Sequence, residues 1–331
     1  MRRNSPRAGL VPDFSFPRQN PNAMANPLIS IVMNCYNGEK YLREAIDSVR
    51  SQTYPHWELV FWDNRSTDGS AAIAKSYQDN RIRYVLAPQH TTLGGARRLA
   101  VNECQGDFIS FLDTDDIYLP ENLGRKLEFI ERESAAVVYG GVIYIDEDGA
   151  ERRRRLPRHR SGMILGAMLR QFETDVPTMM IRRATLQETN LNFDERIFGS
   201  EEYDLLLLLA ATHRFVVVRE YLSKLRHHRS SLTYSVMDKW SADRLLTLAK
   251  LKERHPGIES LHPSAFREAY ARAHYYHTRW LVREGRVDEA RAVLAPLGVV
   301  GWRYRYLFMV LRISPTFWNF VHGHLPSSRR F

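Results

Sequence analysis

Through the first third of the chain the apolar positions switch repeatedly between two spacings. Four unbroken runs, LISIVM (Leu28 to Met33), WELVFW (Trp57 to Trp62), IRYVL (Ile82 to Leu86) and FISFL (Phe108 to Leu112), fit strands buried on both faces. Between them apolar residues fall three and four apart, with Tyr41, Leu42, Ala45, Ile46 and Val49 inside Glu39 to Ser51. A stretch opening near Asp68 and another from Gly94 to Glu103 follow the same spacing, which predicts helices. Strand and helix therefore alternate as β-α-β-α-β-α-β. Right-handed crossovers turn such a chain into a doubly wound, mostly parallel sheet of the α/β class. Ligands of such sheets sit outside the carboxyl ends of the strands.

Further on, AVVYGGVIYIDEDGAERRRRLP predicts two strands joined by a turn at Asp146 to Gly149, and Leu205 to Leu209 predicts a buried helix. From about Trp240 the pattern is helical. SADRLLTLAKLKERH precedes FREAYARAHYYHTRWLVREG and VDEARAVLAPLG, the last two shaped as a tetratricopeptide-like hairpin with Gly285 at the bend and Ala290 facing back. One such unit cannot bury its own face, so it is expected to pack on the preceding domain in preference to a partner. His274 and His277, in an aromatic-rich helix with no third ligand, read as an interior pair and not a metal site. The chain thus divides into three parts. Residues 1–26 form a Pro-, Asn- and Arg-rich tail expected to be disordered, residues 27–235 an α/β domain, and residues 236–331 a C-terminal α-helical extension.

With 331 residues, 44% hydrophobic and 26% charged, the composition is that of a globular protein with one large core and an appendage. Cys35 and Cys104 are the only cysteines, each expected inside a regular element, which points to a reducing compartment and excludes a disulfide framework. The densest apolar run, Leu205 to Ala211, falls far short of the roughly 18 residues of a membrane span, and the first residues lack the apolar centre of a signal peptide. A cytoplasmic protein is expected. Part of the net charge of +9 is concentrated in Arg152 to Arg155 with Arg158 and Arg160. That run reads first as a solvated loop, next as a contact for anionic lipid or a phosphorylated acceptor, and last as a nucleic-acid surface, so no nucleic-acid partner is expected. After Glu289 no acidic residue follows, whereas Trp302, Arg303, Tyr304, Arg305, Tyr306, Phe308, Arg312, Phe317 and Trp318 do. Such a helix suits either the inner face of the cytoplasmic membrane, peripherally, or packing on the core, and both readings stand.

The strand ends carry the candidate chemistry. FISFLDTDDIYLP delivers Asp113, Asp115 and Asp116 to one end and stops at Pro120. Carboxylates this crowded repel each other unless a cation or a hydrogen-bond network answers them, and Mg²⁺ or Mn²⁺ bridging a diphosphate is a common answer. The first strand ends in Asn34, Cys35, Tyr36, Asn37 and Gly38, the second in Asp63 to Gly69. Tyr36 can stack on a nucleobase, and Asp63 or Asn64 can take its ring N–H. Ser66, Thr67 and Asp68 fit turn and helix-capping roles better.

Residues 28 to about 235 resemble the family 2 glycosyltransferases, which have the GT-A nucleotide-sugar fold. The matching segments, in order, are ISIVMNCYNGEKYLREAIDSVRSQTYPHWELVFWDNRSTDGS, GGARRLAVNECQGDFISFLDTDDIYLP, GSEEYDLLLLLA and LRHHRSSLT. By that resemblance Asn34, Tyr36, Asp63 and Asn64 hold the nucleobase, usually uracil. Asp113 and Asp115 form the DxD pair, the first nearer the ribose and the second on the metal, with Asp116 a hydrogen-bonding or capping neighbour. Arg97 matches an Ala-Arg-Asn pattern and joins the donor-binding residues, although Arg98 stands where Asn is usual. Arg226, His227, His228, Arg229 and Ser231 match an R-x-H-x-x-S segment. Its histidine, His228, completes the metal shell or contacts the diphosphate; an exposed basic loop is the plain alternative.

The resemblance implies a metal-dependent enzyme of hexosyltransferase type. It would move a sugar, with inversion, from a nucleoside diphosphate, UDP by preference, to an acceptor hydroxyl in surface polysaccharide or glycolipid synthesis. The partners implied are the nucleotide-sugar donor, a glycan or lipid-linked acceptor and an anionic membrane surface. The base that takes the hydroxyl proton falls in FGSEEYD, where Glu202 stands at the family's usual Asp and Ser200 at the N-cap. Glutamate has the same base strength and one more methylene, so the acceptor hydroxyl must sit about an ångström further back. The structural alternative for Glu201, Glu202 and Asp204 is first-turn charge favoured by the helix dipole. Two other classes are weighed. A nucleotide-sugar or glycan-binding protein without turnover is prompted by Glu202 and Arg98. A Mg²⁺-dependent phosphatase of the haloacid dehalogenase type shares the hydrophobic run before DxD, but three preceding strands with matching polar rims argue against it.

Overall fold

Six of the seven residues of β1 (Ile29–Cys35) are buried, the mark of a strand with packed layers on both faces. In the structure, a computed structural model describing residues 26–228 and 236–324, β1 lies between β2 (Trp57–Asp63) and β4 (Phe108–Phe111). β2 pairs in turn with β3 (Ile82–Leu86), and all four strands are parallel. The register runs from Ile29 opposite Trp57 to Cys35 opposite Asp63, so the polar loops after β1 and β2 emerge side by side. Both strands outlast their apolar runs because main-chain pairing continues into the polar residues.

Beyond β4 the sheet becomes mixed. β8 (Met180–Arg182) runs antiparallel to β4 and to β6 (Val137–Ile145), β6 runs parallel to β9 (Phe215–Arg226), and the short β5 (Ile117–Tyr118) closes the far edge. The order is β3-β2-β1-β4-β8-β6-β9-β5, with β7 (Glu151–Arg155) beside β6. The turn from β6 to β7 closes at Gly149, whose φ of +85° few other residues adopt, while Asp146 Oδ1 accepts the N–H groups of Asp148 and Ala150.

One face of the sheet packs against Leu42, Ile46 and Val49 of α1 (Glu39–Arg50) and Leu123, Leu127 and Ile130 of α4 (Asn122–Arg132). The opposite face packs on α3 (Leu93–Asn102) and on α7 (Glu201–Ala210), whose five leucines are at most 2% exposed. The same core takes in Leu248 and Leu251 of the Trp240–Arg254 helix and Phe266 and Ala269 of the Pro263–Arg283 helix. The C-terminal helices therefore share a core with the sheet. They also enclose a smaller one of their own, around Tyr275, Leu294, Tyr304 and Leu307. The hairpin bends at Gly285 (φ +76°), and Ala290 is fully buried against the preceding helix.

Two expectations change. His274 is exposed and His277 is half-buried with its ring on Trp280, so they are not an interior pair; the turn of the helix carries position 274 to the solvent side. Cys104 lies just past the end of α3 and not within it, although both thiols are buried and unpaired. The tail, apart from Asn26, and the domain boundary near residue 235 lie outside the described residues.

The start of α3 touches the loop that leads to α7. A Cβ at Gly94 would lie 2.6 Å from the main-chain oxygen of Asp194 and 3.1 Å from that of Ile197, and neither backbone oxygen can swing away. Gly94→Ala should therefore lower the urea midpoint by the equivalent of about 1–3 kcal/mol without changing the denaturant slope.

Candidate active site

The loops after β1 and β2 fasten each other. Asn37 Oδ1 accepts the Thr67 N–H at 2.8 Å, and Ser66 Oγ accepts the Asn37 N–H at 3.1 Å. Asp68 accepts from Glu39 N and Ser70 N, at the first residues of α1 and of α2 (Ser70–Ser76). These are the turn and capping roles expected of the segment. Asp63 is buried and accepts the Ser66 N–H at 2.7 Å and the Tyr84 hydroxyl at 2.6 Å; burial, and then this carboxylate, raise the Tyr84 phenol. Asn64 exchanges hydrogen bonds with the main chain of Thr91 through both ends of its amide. The structure thus gives Asp63 and Asn64 loop-holding contacts within the rim where a nucleobase was expected. Asn34 Nδ2 is buried with no partner, and Tyr36, 55% exposed, tilts against the His90 ring with centroids 4.3 Å apart.

The loop after β4 carries the crowded carboxylates, and each has a different answer. Asp113 accepts from Arg97 Nη2 at 2.7 Å. Asp115 Oδ2 lies 2.8 Å from His228 Nε2. Asp116 is buried and accepts the Arg226 N–H at 2.9 Å; burial, and then Asp115 and Asp113, raise its carboxyl well above the ordinary range. Arg226 itself donates to the main-chain oxygens of Asp115, Asp146 and Glu147, pairs with Glu44 of α1 and lies over the Tyr41 ring. One buried guanidinium joins the carboxylate loop, the β6–β7 turn and α1.

The three acids of the leucine helix also diverge. Glu201 is buried and accepts from Arg97 Nη1 at 2.5 Å, so Arg97, only 3% exposed, bridges it to Asp113. Burial works against this cation, and the carboxylates of Asp113, Glu201 and Glu202 overcome it. Asp204 accepts from Thr247 Oγ1 and Lys250 Nζ of the Trp240–Arg254 helix. Glu202 is half-buried and forms no ion pair among the described residues. Burial, and then neighbouring Glu201, push its carboxyl up to about 7, against the pull of Arg97 and Arg244. Simple first-turn charge does not describe this cluster.

Ser200 occupies the N-cap position, but its hydroxyl makes no capping bond. Asp243 instead holds the turn that precedes the helix, accepting the N–H groups of Phe198 and Gly199 at 3.1 and 2.9 Å. Beside it Arg244 stacks its guanidinium on Tyr203 and Tyr276, and its Nε is buried without a partner. Arg244, Arg272 and Arg279 together pull the Tyr276 phenol below its ordinary value despite its burial. No local pattern in the sequence marks this positive cluster. The arginine run of β7, by contrast, is answered in place: Arg152 pairs with Asp146, Arg154 with Glu151 and Arg155 with Asp175, while Arg153 lies over Tyr144.

Among the described residues, no group of three or more His, Cys, Asp or Glu side chains gathers as a metal cage. Asp115 and His228 still offer one carboxylate and one imidazole at hydrogen-bond distance from each other. That donor set fits Mg²⁺ or Mn²⁺ held by one or two side chains with diphosphate oxygens supplying most of the shell. Arg229 and Ser231 of the aligned segment lie outside the described residues.

Because Arg97 is the only ion-pair partner of both Glu201 and Asp113 among the described residues, Arg97→Met should strand a buried carboxylate. A loss of about 3–5 kcal/mol in unfolding free energy is expected by urea denaturation, with Arg97→Lys recovering part of it.

Comparison with known proteins agrees with this geometry. The family model described as "Glycosyl transferase family 2" matches residues 30–189. An uncharacterized glycosyltransferase of Methanocaldococcus jannaschii is 31% identical over 210 residues, covering 61% of this chain and 72% of that one. The Escherichia coli UDP-Glc:alpha-D-GlcNAc-diphosphoundecaprenol beta-1,3-glucosyltransferase WfgD is 32% identical over 125 residues, covering 38% of this chain and 49% of that one. In fold, the chain is similar to residues 1–349 of S. aureus TarS, solved with UDP-GlcNAc, at a TM-score of 0.65 and 19% identity over 91% of each chain. With its sheet of GT-A type and its carboxylate loop after β4, the chain belongs to glycosyltransferase family 2.

Proposed function

We propose that the protein is an inverting, metal-dependent hexosyltransferase that uses a UDP-linked sugar and a glycan or lipid-linked acceptor in surface polysaccharide or glycolipid synthesis. The observation that carries this reading is the Arg97 bridge, which ties the Asp113 end of the carboxylate loop to the helix bearing Glu202. The names of the relatives support it, since one acts from UDP-Glc on a diphosphoundecaprenol-linked sugar.

At the donor end, Tyr36 with His90 offers an aromatic face for the base, and the free amide hydrogens of Asn34 await an acceptor oxygen. Asp63 and Asn64 hold that rim in shape, Asp113 faces the ribose, and Asp115 and His228 would hold the ion. Bound Mg²⁺ or Mn²⁺ supplies positive charge to the leaving diphosphate. At the acceptor end, Glu202 takes the hydroxyl proton while the acceptor oxygen bonds to the anomeric carbon. The bond from that carbon to the diphosphate breaks with its electron pair on the leaving oxygen. Attack opposite the leaving group inverts the centre. Arg244, beside Glu202 and in no ion pair among the described residues, suits a phosphate on the acceptor.

A carboxyl at about 7 is half-ionised near neutrality, and a base works only when ionised. Transfer should therefore rise as pH increases through about 7 and level off above it, read as kcat against pH. Glu202→Gln should keep donor binding, lose that limb and cut transfer by roughly 10²–10⁴-fold. Asp115→Ala should abolish metal-dependent UDP binding in calorimetry. A screen of nucleotide sugars for hydrolysis with Mg²⁺ or Mn²⁺ identifies the donor. Normal turnover by Glu202→Gln would remove the base assignment. Wild-type protein that binds UDP-sugars without hydrolysis or transfer would favour the alternative, a binding protein without turnover, which the glutamate in place of aspartate prompts.

A further inference from the structure

The helix Trp302–Ile313 shows two apolar stripes, and only one of them is used. Tyr304, Leu307, Val310 and Leu311 are buried in the small C-terminal core. On the other side Trp302 is 77% exposed, Tyr306 45%, Met309 51% and Ile313 73%. Steps of four, three and four residues place these side chains on a single face, extending about 16 Å along the axis. Val299, 92% exposed, continues the stripe just before the helix. Large apolar side chains rarely line up in water without a partner.

The borders of the stripe say what that partner is. Arg305 and Arg312 flank it, both exposed and in no ion pair among the described residues, while Arg303 is held by Glu268. No acidic residue occurs anywhere from Ala290 to Phe331. A second copy of the same face would bring arginine against arginine, which opposes self-association. Anionic headgroups bring the opposite charge, and tryptophan and tyrosine favour the level where headgroup meets acyl chain. No described helix is long and apolar enough to cross a membrane, so the contact would be interfacial.

We propose that the Trp302, Tyr306, Met309 and Ile313 face, with Arg305 and Arg312, docks the protein on an anionic lipid bilayer with the helix lying in the plane of the interface. The proposal does not depend on the transfer chemistry.

Co-sedimentation of the full chain with extruded vesicles tests it, using phosphatidylcholine alone or mixed with phosphatidylglycerol. Binding should require phosphatidylglycerol and fade as salt rises, with each arginine contributing roughly fivefold to partitioning. The Trp302→Glu, Ile313→Glu double variant should bind at least tenfold more weakly. Arg305→Gln with Arg312→Gln should lose most of the preference for phosphatidylglycerol. Both substituted sets are on solvent-facing positions, so unchanged circular dichroism and unchanged UDP binding show that the fold survives. Failure of wild-type protein to bind the mixed vesicles overturns the proposal, and so does equal binding by the Trp302→Glu, Ile313→Glu variant. A dimer that forms without lipid and dissolves in that variant also overturns it, since a second copy would then be the occupant. Lost vesicle binding with donor hydrolysis intact counts against docking alone; lost hydrolysis with docking intact counts against the proposed function alone.

Discussion

A charge bridge buried across the sheet governs the arrangement of this cleft. Arg97 sits on α3 with almost no exposure, and it holds Asp113 from the end of β4 on one arm and Glu201 from the start of α7 on the other. In a low-dielectric interior the buried Glu201 carboxylate needs the cation, and the buried cation needs its carboxylates. The spacing of the two halves of the site is therefore set by the reach of one planar group. Glutamate at position 202 is carried next to that bridge; burial lifts its carboxyl, Glu201 adds to the lift, and Arg97 opposes both.

A second guanidinium performs a similar service on the other side of the cleft. Arg226 gathers main-chain oxygens from the carboxylate loop and the β6–β7 turn and reaches α1 through Glu44. Neither arginine relies on local sequence neighbours. Together they convert loops into fixed walls, which a site built on strand ends requires if its ligands are to meet preformed geometry. Arginine thus serves as internal bracing at positions 97 and 226, whereas in the run of β7 Arg152 and Arg154 form exposed pairs.

The alternating core was readable because buried parallel strands leave continuous apolar runs, and the carboxylate loop was readable because three aspartates in four residues have few structural explanations. The remainder depends on pairings with no period. Arg97 and Glu201 are 104 positions apart, and the pattern that singles out Arg97 from the exposed Arg98 does not say what it pairs with. His90 and Thr91 lie in a loop whose composition says only that it turns. Ser200 looked like a cap by residue type, yet its hydroxyl makes no capping bond, and the turn before it is held by Asp243 from a helix that the local pattern cannot place. For the Trp302–Ile313 helix, the core-packing reading holds for the inward stripe, while the outward stripe stays exposed.

The Asp243 contact has a bearing on the order in which the molecule is completed during synthesis. Domains fold as they leave the ribosome, amino terminus first. The sheet and the carboxylate loop are all encoded before residue 228, yet the turn that presents Glu202 receives its Phe198 and Gly199 contacts from a residue made later. A nascent chain can thus carry its strands and carboxylate loop while the turn before Glu202 still lacks its support. That support waits on the helix that brings Asp243.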